Sequence, residues 1–369
     1  MKVVVTGADG FLGWHLRVRC RALSEHEVFA VNRESWASLS ELVAGADAVI
    51  HIAGVNRGEP DHVERENVRL AEDLAAALEA SPRPRRIVYA NSVQSGNGTP
   101  YGAGKAAAAE ILQSAAERTG ASVVDVRLPN LFGEHGRPQY NSFVATFVDL
   151  AVTGGEPDIV DRPVPLLHVQ DAAEVLLDGL VGEAGVRTPD GTQTSVAAVW
   201  ERLRSFVATY ANGDIPRLDG KLDVDLFNTL RARLFPLVYP IALTEHSDDR
   251  GRLVETVRSH GGEGQTFVST TRPGIARGEH FHLRKIERFV VLSGQARISL
   301  RRVLTDDLVD FEVSGERPVV IDMPTLWAHN IINTGDTELV TLFWTNELFD
   351  PADPDTHREP VLLEKVLAC

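Results

Sequence analysis

Cysteine is almost missing from this chain. Only Cys20 and Cys369 occur in 369 residues, so no disulfide framework is available and a reducing cytoplasm is the natural setting. No apolar run is long enough to cross a bilayer. Met1-Lys2 leads straight into Val3-Val4-Val5-Thr6-Gly7, which reads as a buried strand and turn rather than a secretory signal. Positive charge is also short: the net charge of −15 argues against the basic face of a nucleic-acid binder, although a few local arginines could still hold an anionic small molecule. Lysine is scarcest, with five among 37 basic residues, so a lysine inside a motif is less apt to stand there by default. The rest is ordinary for a globular chain, 43% hydrophobic and 24% charged. The length is generous for one core and comfortable for two domains.

Over the first 185 residues, short β-rich runs (Val3–Thr6, Val28–Val31, Ala48–Ile52, Arg86–Ala90, Val123–Arg127) alternate with helical patterns such as Leu70–Ala80 and Lys105–Ala116. That alternation predicts βαβ units and a doubly wound parallel sheet. Residues 196–239 carry apolar side chains at helical spacing (Val199, Leu203, Phe206, then Leu226, Leu230, Leu234), and Pro240 ends the stretch. Beyond it lie short β-rich segments at Leu253–Val257, Thr266–Thr271, Phe289–Leu292, Ala296–Leu300, Val319–Ile321 and Leu339–Trp344, as in an antiparallel sandwich or barrel. The expected domains are 1–240 and 241–369.

Gly7-Ala8-Asp9-Gly10-Phe11-Leu12-Gly13 follows the first strand and opens a helix. Glycines there permit a tight turn and a close approach to a pyrophosphate, which the helix N-terminus attracts. Gly7, Gly10, Phe11, Leu12 and Gly13 are therefore candidate dinucleotide contacts. The second strand ends at Asn32-Arg33, where an acidic residue would take the ribose of NADH and an arginine accommodates the 2′-phosphate of NADPH. Arg33 favours NADPH, and Glu34 keeps NADH open. Ala53-Gly54 forms a small-residue turn past which the cofactor could run, and Asn67 reads as structural.

Tyr101 and Lys105 stand four apart, on one face if helical. An ammonium near the phenol would lower the tyrosine pKa, so that Tyr101 exchanges a proton with a carbonyl oxygen as hydride moves to the adjacent carbon. Ser92, at the end of the fourth strand, could hold that oxygen, with Ser95 as the alternative. This half resembles the extended short-chain dehydrogenase/reductase family, whose members mostly act on nucleotide sugars. The resemblance implies a Rossmann-type α/β fold, with Tyr101 and Lys105 also touching the cofactor. It extends over Arg127-Leu128-Pro129-Asn130-Leu131-Phe132-Gly133 and His168-Val169-Gln170-Asp171, which implies substrate-side roles for Arg127, Asn130 and His168.

The C-terminal part holds a longer pattern: Gly274, five residues, His280-Phe281-His282, four residues, Glu287, six residues, Gly294. That pattern resembles the first motif of the cupins, which implies an all-β barrel. Pro324-Thr325-Leu326-Trp327-Ala328-His329 and Asn333 match most of the second, with leucine where glycine is usual. His280 and His282, two apart on a strand, face one side; Glu287 and His329 would complete a mixed N/O site. Three imidazoles and a carboxylate suit Zn, Fe, Mn, Ni or Cu, with zinc the first choice because it needs no redox partner. Lys285 is a candidate proton carrier if burial lowers its pKa; a surface ammonium paired with a carboxylate is the alternative. Arg272 and Arg277 could bind a diphosphate or simply line a rim.

The domain order, with Tyr140-Asn141-Ser142 and the compact stretch from Tyr101 to Lys105, resembles the bifunctional capsular-polysaccharide enzymes of the UDP-N-acetyl-L-fucosamine pathway. The resemblance implies a UDP-linked 4-keto-6-deoxy amino sugar as substrate, with Asn141 among its contacts. The cupin would epimerise C3 and the reductase domain would then reduce the C4 ketone with NADPH to a UDP-2-acetamido-2,6-dideoxy-L-talose. A homodimer without nucleic-acid or membrane partners is expected. Two rival readings are a single-activity ketosugar reductase whose cupin serves dimerisation and a non-catalytic NADPH-sensing protein. Tyr101 and Lys105 weigh against the second.

Overall fold

The computed structural model describes residues 1–81 and 85–363; Cys369 and the rest of the expected C-terminal domain's final six residues lie outside them. Two compact units emerge, Met1–Thr146 with Ile159–Ala197, and Phe147–Asp158 with the chain from Ala198 onward.

The first unit runs β1 (Lys2–Thr6), α1 (Phe11–Leu23), β2 (Glu27–Val31), α2 (Leu39–Gly45), β3 (Ala48–His51), α3 (Pro60–Ala80), β4 (Arg86–Ser92), α4 (Pro100–Thr119) and β5 (Ser122–Leu128). It continues through β6 (Asn130–Phe132), the start of α5 (Phe143–Thr153, whose residues from Phe147 belong to the second unit), β7 (Pro163–His168), α6 (Val169–Asp178), β8 (Gly185–Arg187) and β9 (Thr192–Ser195). The main sheet is parallel, in the order β2-β1-β3-β4-β5-β8. Residues 3–5 and 48–50 read as unbroken apolar runs because both faces of the sheet are covered. Val3, Val5, Ile50, Val88 and Val126 enter one core; Val4, Val49, Ile87 and Tyr89 enter the other. Strand order reverses between β1 and β3, which puts the ligand crevice of such a sheet at the carboxyl ends of those two strands. A small sheet of β6, β7 and β9 follows.

Two local devices place the helix that carries Tyr101 and Lys105. Thr99 caps α4, its hydroxyl accepting from the Gly102 amide at 3.1 Å, and Pro100 occupies the first turn, where its missing N–H costs nothing. Gly104 then lets α4 settle against α3: a Cβ there would stand 3.1 Å from Glu64 Cα.

The second unit contains α7 (Val196–Tyr210, from Ala198), α8 (Lys221–Leu234) and strands β10 (Ile241–Ala242), β11 (Glu245–Asp248), β12 (Gly251–Val254), β13 (Gln265–Thr271), β14 (Ala276–Phe281), β15 (Glu287–Ser293), β16 (Gln295–Arg302), β17 (Leu308–Ser314), β18 (Val319–Met323), β19 (Trp327–Asn333), β20 (Leu339–Thr345) and β21 (His357–Arg358). Two five-stranded antiparallel sheets form, β10-β18-β15-β20-β13 and β17-β16-β19-β14-β21, beside a β11–β12 hairpin. The sequence pattern changes at 241, whereas the compact units divide at Ala198, and buried polar bonds show why. Arg288 Nε and Nη2 grip Asp322 at 2.7 and 2.9 Å, and the Tyr210 hydroxyl at the end of α7 donates to the same carboxylate at 2.6 Å. A buried ion pair of this kind needs all of these partners, which ties the helices to the strands.

Candidate functional site

The glycine turn follows β1 as its motif predicts. Gly7 has φ 68°, and a Cβ on it would lie 2.7 Å from the Ala53 nitrogen; one on Gly13 would lie 2.2 Å from the Gly7 oxygen. No side chain fits at either position. The turn after β3 is therefore pressed against the turn after β1, with Ala53 at the contact and Gly54 exposed beside it. Thr6 Oγ1 accepts from the Ile52 and Ala53 amides, each at 3.2 Å. Asn67 proves to be the clasp of that turn: its Nδ2 donates to Val55 O at 2.6 Å and to Val63 O at 2.7 Å. Leu12 is buried in the core, and Phe11 packs against it. At the end of β2, Asn32 is tied inward. Its Oδ1 accepts from the Glu34 and Ser35 amides, and its Nδ2 donates to Asp9 at 2.7 Å. Arg33 is exposed and, among the described residues, has no ionic or hydrogen-bond partner.

Tyr101 and Lys105 both lie on α4, and each has its own hydrogen-bond partner. Lys105 Nζ donates to the Ala90 carbonyl at 2.8 Å and sits 4.8 Å from the Tyr89 ring centroid. The expected lowering of the Tyr101 pKa by Lys105 is not found. Burial raises that phenol, and the opposing influence is a hydrogen bond with Ser92. Ser92 is thus the serine brought to the tyrosine, whereas the Ser95 hydroxyl accepts from Asn91 at 3.4 Å. Burial pulls the Lys105 ammonium down to about 8 against the pull of Asp125. Above that pH the lysine loses its proton, so a cofactor held by the ammonium should bind progressively more weakly as pH rises through about 8. Titrating the reduced cofactor by fluorescence from pH ~6.5 to ~9.5 (about one and a half decades each way in the ratio of charged to neutral lysine) should show this loss, and Lys105→Met should flatten it.

The substrate-side residues are more scattered. Arg127 is exposed, 3.4 Å from Asp125. Asn130 reaches the Pro165 carbonyl at 3.4 Å, and Asn141 is exposed just before α5. His168 is buried and points its Nε2 at Glu134 at 3.1 Å, which braces the loop after β6 from beneath. Burial would raise the Glu134 carboxyl, but His168 and His15 outweigh it and hold it at about 2.

In the second unit His280 pairs with His329 across β14 and β19, one sheet, while Glu287 opens β15 in the other. Potential ligand atoms of His280, His282, Glu287 and His329 all lie within 4.8 Å of one another. Glu287 Oε2 stands 3.0, 3.3 and 3.9 Å from the Nε2 atoms of His282, His329 and His280. The His282 and His329 Nε2 atoms are buried without an aligned hydrogen bond. Their Nδ1 atoms face the carbonyls of Asp355 and Trp327. A carbonyl only accepts, so Nδ1 carries hydrogen and Nε2 is left with a lone pair for a metal. The donor set and the orphaned nitrogens fit a divalent ion. Burial would lower His282, yet Glu287 beside it lifts its pKa; burial would raise Glu287, yet the same imidazole holds it well down. Burial also pushes His329 down to about 4.

The motif's odd leucine sits where glycine is usual for a reason: Leu326 has φ 67°, a left-handed conformation that favours glycine. Its amide donates to His282 O at 2.9 Å. Asp355 was not foreseen. Its carboxylate accepts from the Leu283, Arg284 and Lys285 amides at 3.0, 2.9 and 2.8 Å and so fixes the turn between His282 and Glu287. Lys285 is buried, its ammonium donating to Pro354 O. Arg277 bonds Thr271 and the Thr270 carbonyl, and Arg272 is exposed.

A dinucleotide-type α/β unit with a serine–tyrosine pair, joined to a cupin with a metal-fitting cluster, defines a two-domain enzyme of the short-chain reductase class. Residues 3–180 match the NAD dependent epimerase/dehydratase family, and residues 246–357 match the polysaccharide biosynthesis C-terminal domain. Similarity runs end to end with a Pseudomonas aeruginosa protein named UDP-2-acetamido-2,6-beta-L-arabino-hexul-4-ose reductase, 33% identical over 97% of this chain and 98% of that one. The crystal structure of the capsular polysaccharide assembling protein CapF from Staphylococcus aureus is 32% identical, covering 98% of this chain and 100% of that one, with a TM-score of 0.62. A CapF crystal structure with the inhibitor 3-isopropenyl-tropolone is 31% identical over the same shares, with a TM-score of 0.56. The chain belongs to this family of CapF-like capsule polysaccharide enzymes.

Proposed function

We propose that the chain epimerises C3 of a UDP-linked 2-acetamido-2,6-dideoxy-4-keto-hexose at the cupin cluster and reduces the C4 ketone in the α/β unit, yielding a UDP-2-acetamido-2,6-dideoxy-L-talose. The observation that carries this reading is the presence of the Ser92–Tyr101 pair and the His280, His282, Glu287, His329 cluster in one chain, matched along its whole length to a relative named for reducing a 4-ulose. In the reduction, hydride passes from the dihydronicotinamide to C4 while Tyr101 gives its phenolic proton to the oxygen. Ser92 holds that oxygen in place, and Lys105 fixes the cofactor. A divalent ion in the cupin, zinc in this reading, would act as a Lewis acid that makes the proton beside the ketone removable. Lys285 is the candidate to carry that proton and must leave the Pro354 carbonyl to do so. That tether favours the second reading, a single-activity reductase. The enzyme is read as a cytoplasmic homodimer, and Phe267 and Val268, exposed on the edge strand β13, support pairing of two copies.

NADPH is the proposed reductant, with Arg33 available to the 2′-phosphate. Asp9 opposes it, because its carboxylate is held beside the end of β2 by Asn32 and by Arg17 at 2.9 Å. Two unit charges a few ångströms apart in water repel by about 1 kcal/mol. Asp9→Asn should accordingly raise the ratio of NADPH to NADH affinity roughly fivefold, and Arg33→Ala should lower it; calorimetric titration with both cofactors checks the pair.

The overall reading is tested by NADPH oxidation with the UDP-linked 4-keto-6-deoxy-N-acetylhexosamine in deuterated water, with C3 followed by NMR. Turnover with deuterium at C3 supports both activities. Turnover without label leaves only the reductase, and no turnover removes this sugar as substrate.

A further inference from the structure

Apart from the serine–tyrosine pair and the cupin cluster, two guanidinium groups converge on a single ring. The Arg57 and Arg137 guanidinium carbons lie 5.8 and 5.2 Å from the Tyr140 ring centroid, and Tyr140 is 42% exposed. Arg57 Nη1 donates to the backbone carbonyls of Gln139 and Tyr140, the latter at 2.7 Å, which fixes its position without neutralising it. Among the described residues neither arginine has a carboxylate partner. That is notable in a chain of net charge −15, where Arg17, Arg69, Arg118 and Arg250 each sit on a neighbouring carboxylate. Two like charges gathered at one ring repel. The electron-rich ring face offsets part of that, and an anion between the two forks would offset the rest, since guanidinium matches phosphate geometry.

The position of the cluster says which anion. Arg57 lies three residues past Gly54, where a Cβ would stand 3.5 Å from Lys105 Nζ. Gly136, next to Arg137, would bring a Cβ to 3.8 Å from Phe11 Cε2 in the glycine turn. Between Arg137 and Tyr140, Gln139 is held at φ 54°, a conformation rare outside glycine, with its amide donating to Thr146 Oγ1 at 2.9 Å. The two loops follow the carboxyl ends of the parallel strands β3 and β6, the end where ligands of such sheets bind. The cluster thus stands on two loops that elsewhere approach Lys105 and Phe11, at Gly54 and Gly136.

We propose that Arg57 and Arg137, spaced by Tyr140, bind the diphosphate of the nucleotide-linked substrate. The inference rests on the nucleotide-sugar reading above and names its anion subsite. The test is calorimetric titration of the full chain with UDP, dTDP, GDP and NADPH, with thermal melting as a check on folding. Arg57→Ala and Arg137→Ala should each weaken UDP about tenfold and leave NADPH affinity unchanged. Tyr140→Ala should also weaken UDP, while Tyr140→Phe, which keeps the ring face, should bind like the parent. If Arg57→Ala fails to fold, Arg57→Lys keeps the charge without the planar fork and should weaken UDP severalfold. UDP affinity unchanged in both arginine variants overturns the assignment, as does a loss of NADPH affinity in place of UDP affinity. A parent protein that binds none of the three nucleotides also overturns it. If the parent prefers dTDP or GDP and the arginine variants lose that binding, the diphosphate site stands and the uridine reading fails.

Discussion

Tyr101→Phe should lower ketone reduction by at least about a hundredfold, the lower end of what a positioned general acid contributes. It should leave cofactor affinity and deuterium uptake at C3 within about twofold of the parent, since the phenylalanine removes a proton donor and little else. The ring is partly buried on the first turn of α4 beside Ser92, so phenylalanine can occupy the same space. Burial raises the phenol above its ordinary value, with the Ser92 hydrogen bond opposing. The donor therefore stays protonated through neutral pH, as reduction requires. Single-turnover absorbance of the reduced cofactor measures the hydride step, and NMR of recovered sugar measures the exchange. If both activities disappear from a folded Tyr101→Phe protein, the division of labour between the two units is wrong. If reduction survives, another donor protonates C4.

What the sequence revealed and what it hid follow from one physical distinction. Strands buried on both faces announce themselves, as Val3-Val4-Val5 does, because each successive side chain enters one core or the other. Ala276–Phe281 carries Arg277, Gly278, Glu279 and His280 and has no such run, although it is a strand whose register shifts between Gly278 and His280. Its His280, and His282 just past its end, were legible only through motif spacing. Spacing likewise placed Tyr101 and Lys105 on one helix. It could not tell that Lys105 would find the Ala90 carbonyl, because that choice depends on a strand 15 residues earlier. Asp355 was out of reach for the same reason: the amides it holds lie 70 to 72 residues away, and nothing in the neighbouring sequence marks it as a buried aspartate. Arg57 and Arg137 were invisible as a pair because only the fold brings them to Tyr140.

Stripping metal from the protein should abolish C3 deuterium uptake while leaving reduced-cofactor binding intact, and the same split should follow from His282→Ala. The expectation begins with the buried cluster itself. Three imidazole nitrogens face one carboxylate oxygen, two of them buried and without an aligned hydrogen bond, an arrangement that stays costly unless something binds it. A bound ion would stabilise the native state by mass action, about 2.7 kcal/mol at a hundred times its dissociation constant, so chelation should lower the melting temperature as well as the exchange rate. Elemental analysis of the purified chain should find close to one equivalent of divalent metal, and His282→Ala should lose most of it. The carbonyl of Asp355 that orients His282 and the carboxylate that pins residues 283–285 make Asp355→Asn a gentler probe. By the usual effect of a partner beyond the ligands themselves, it should weaken metal affinity about 10- to 100-fold without removing a ligand. If exchange persists in metal-free protein, the ion is structural and proton removal belongs to side chains alone. Finding no metal in the purified chain and no gain in melting temperature on adding zinc would reduce the cluster to a buried polar core and the protein to a ketosugar reductase.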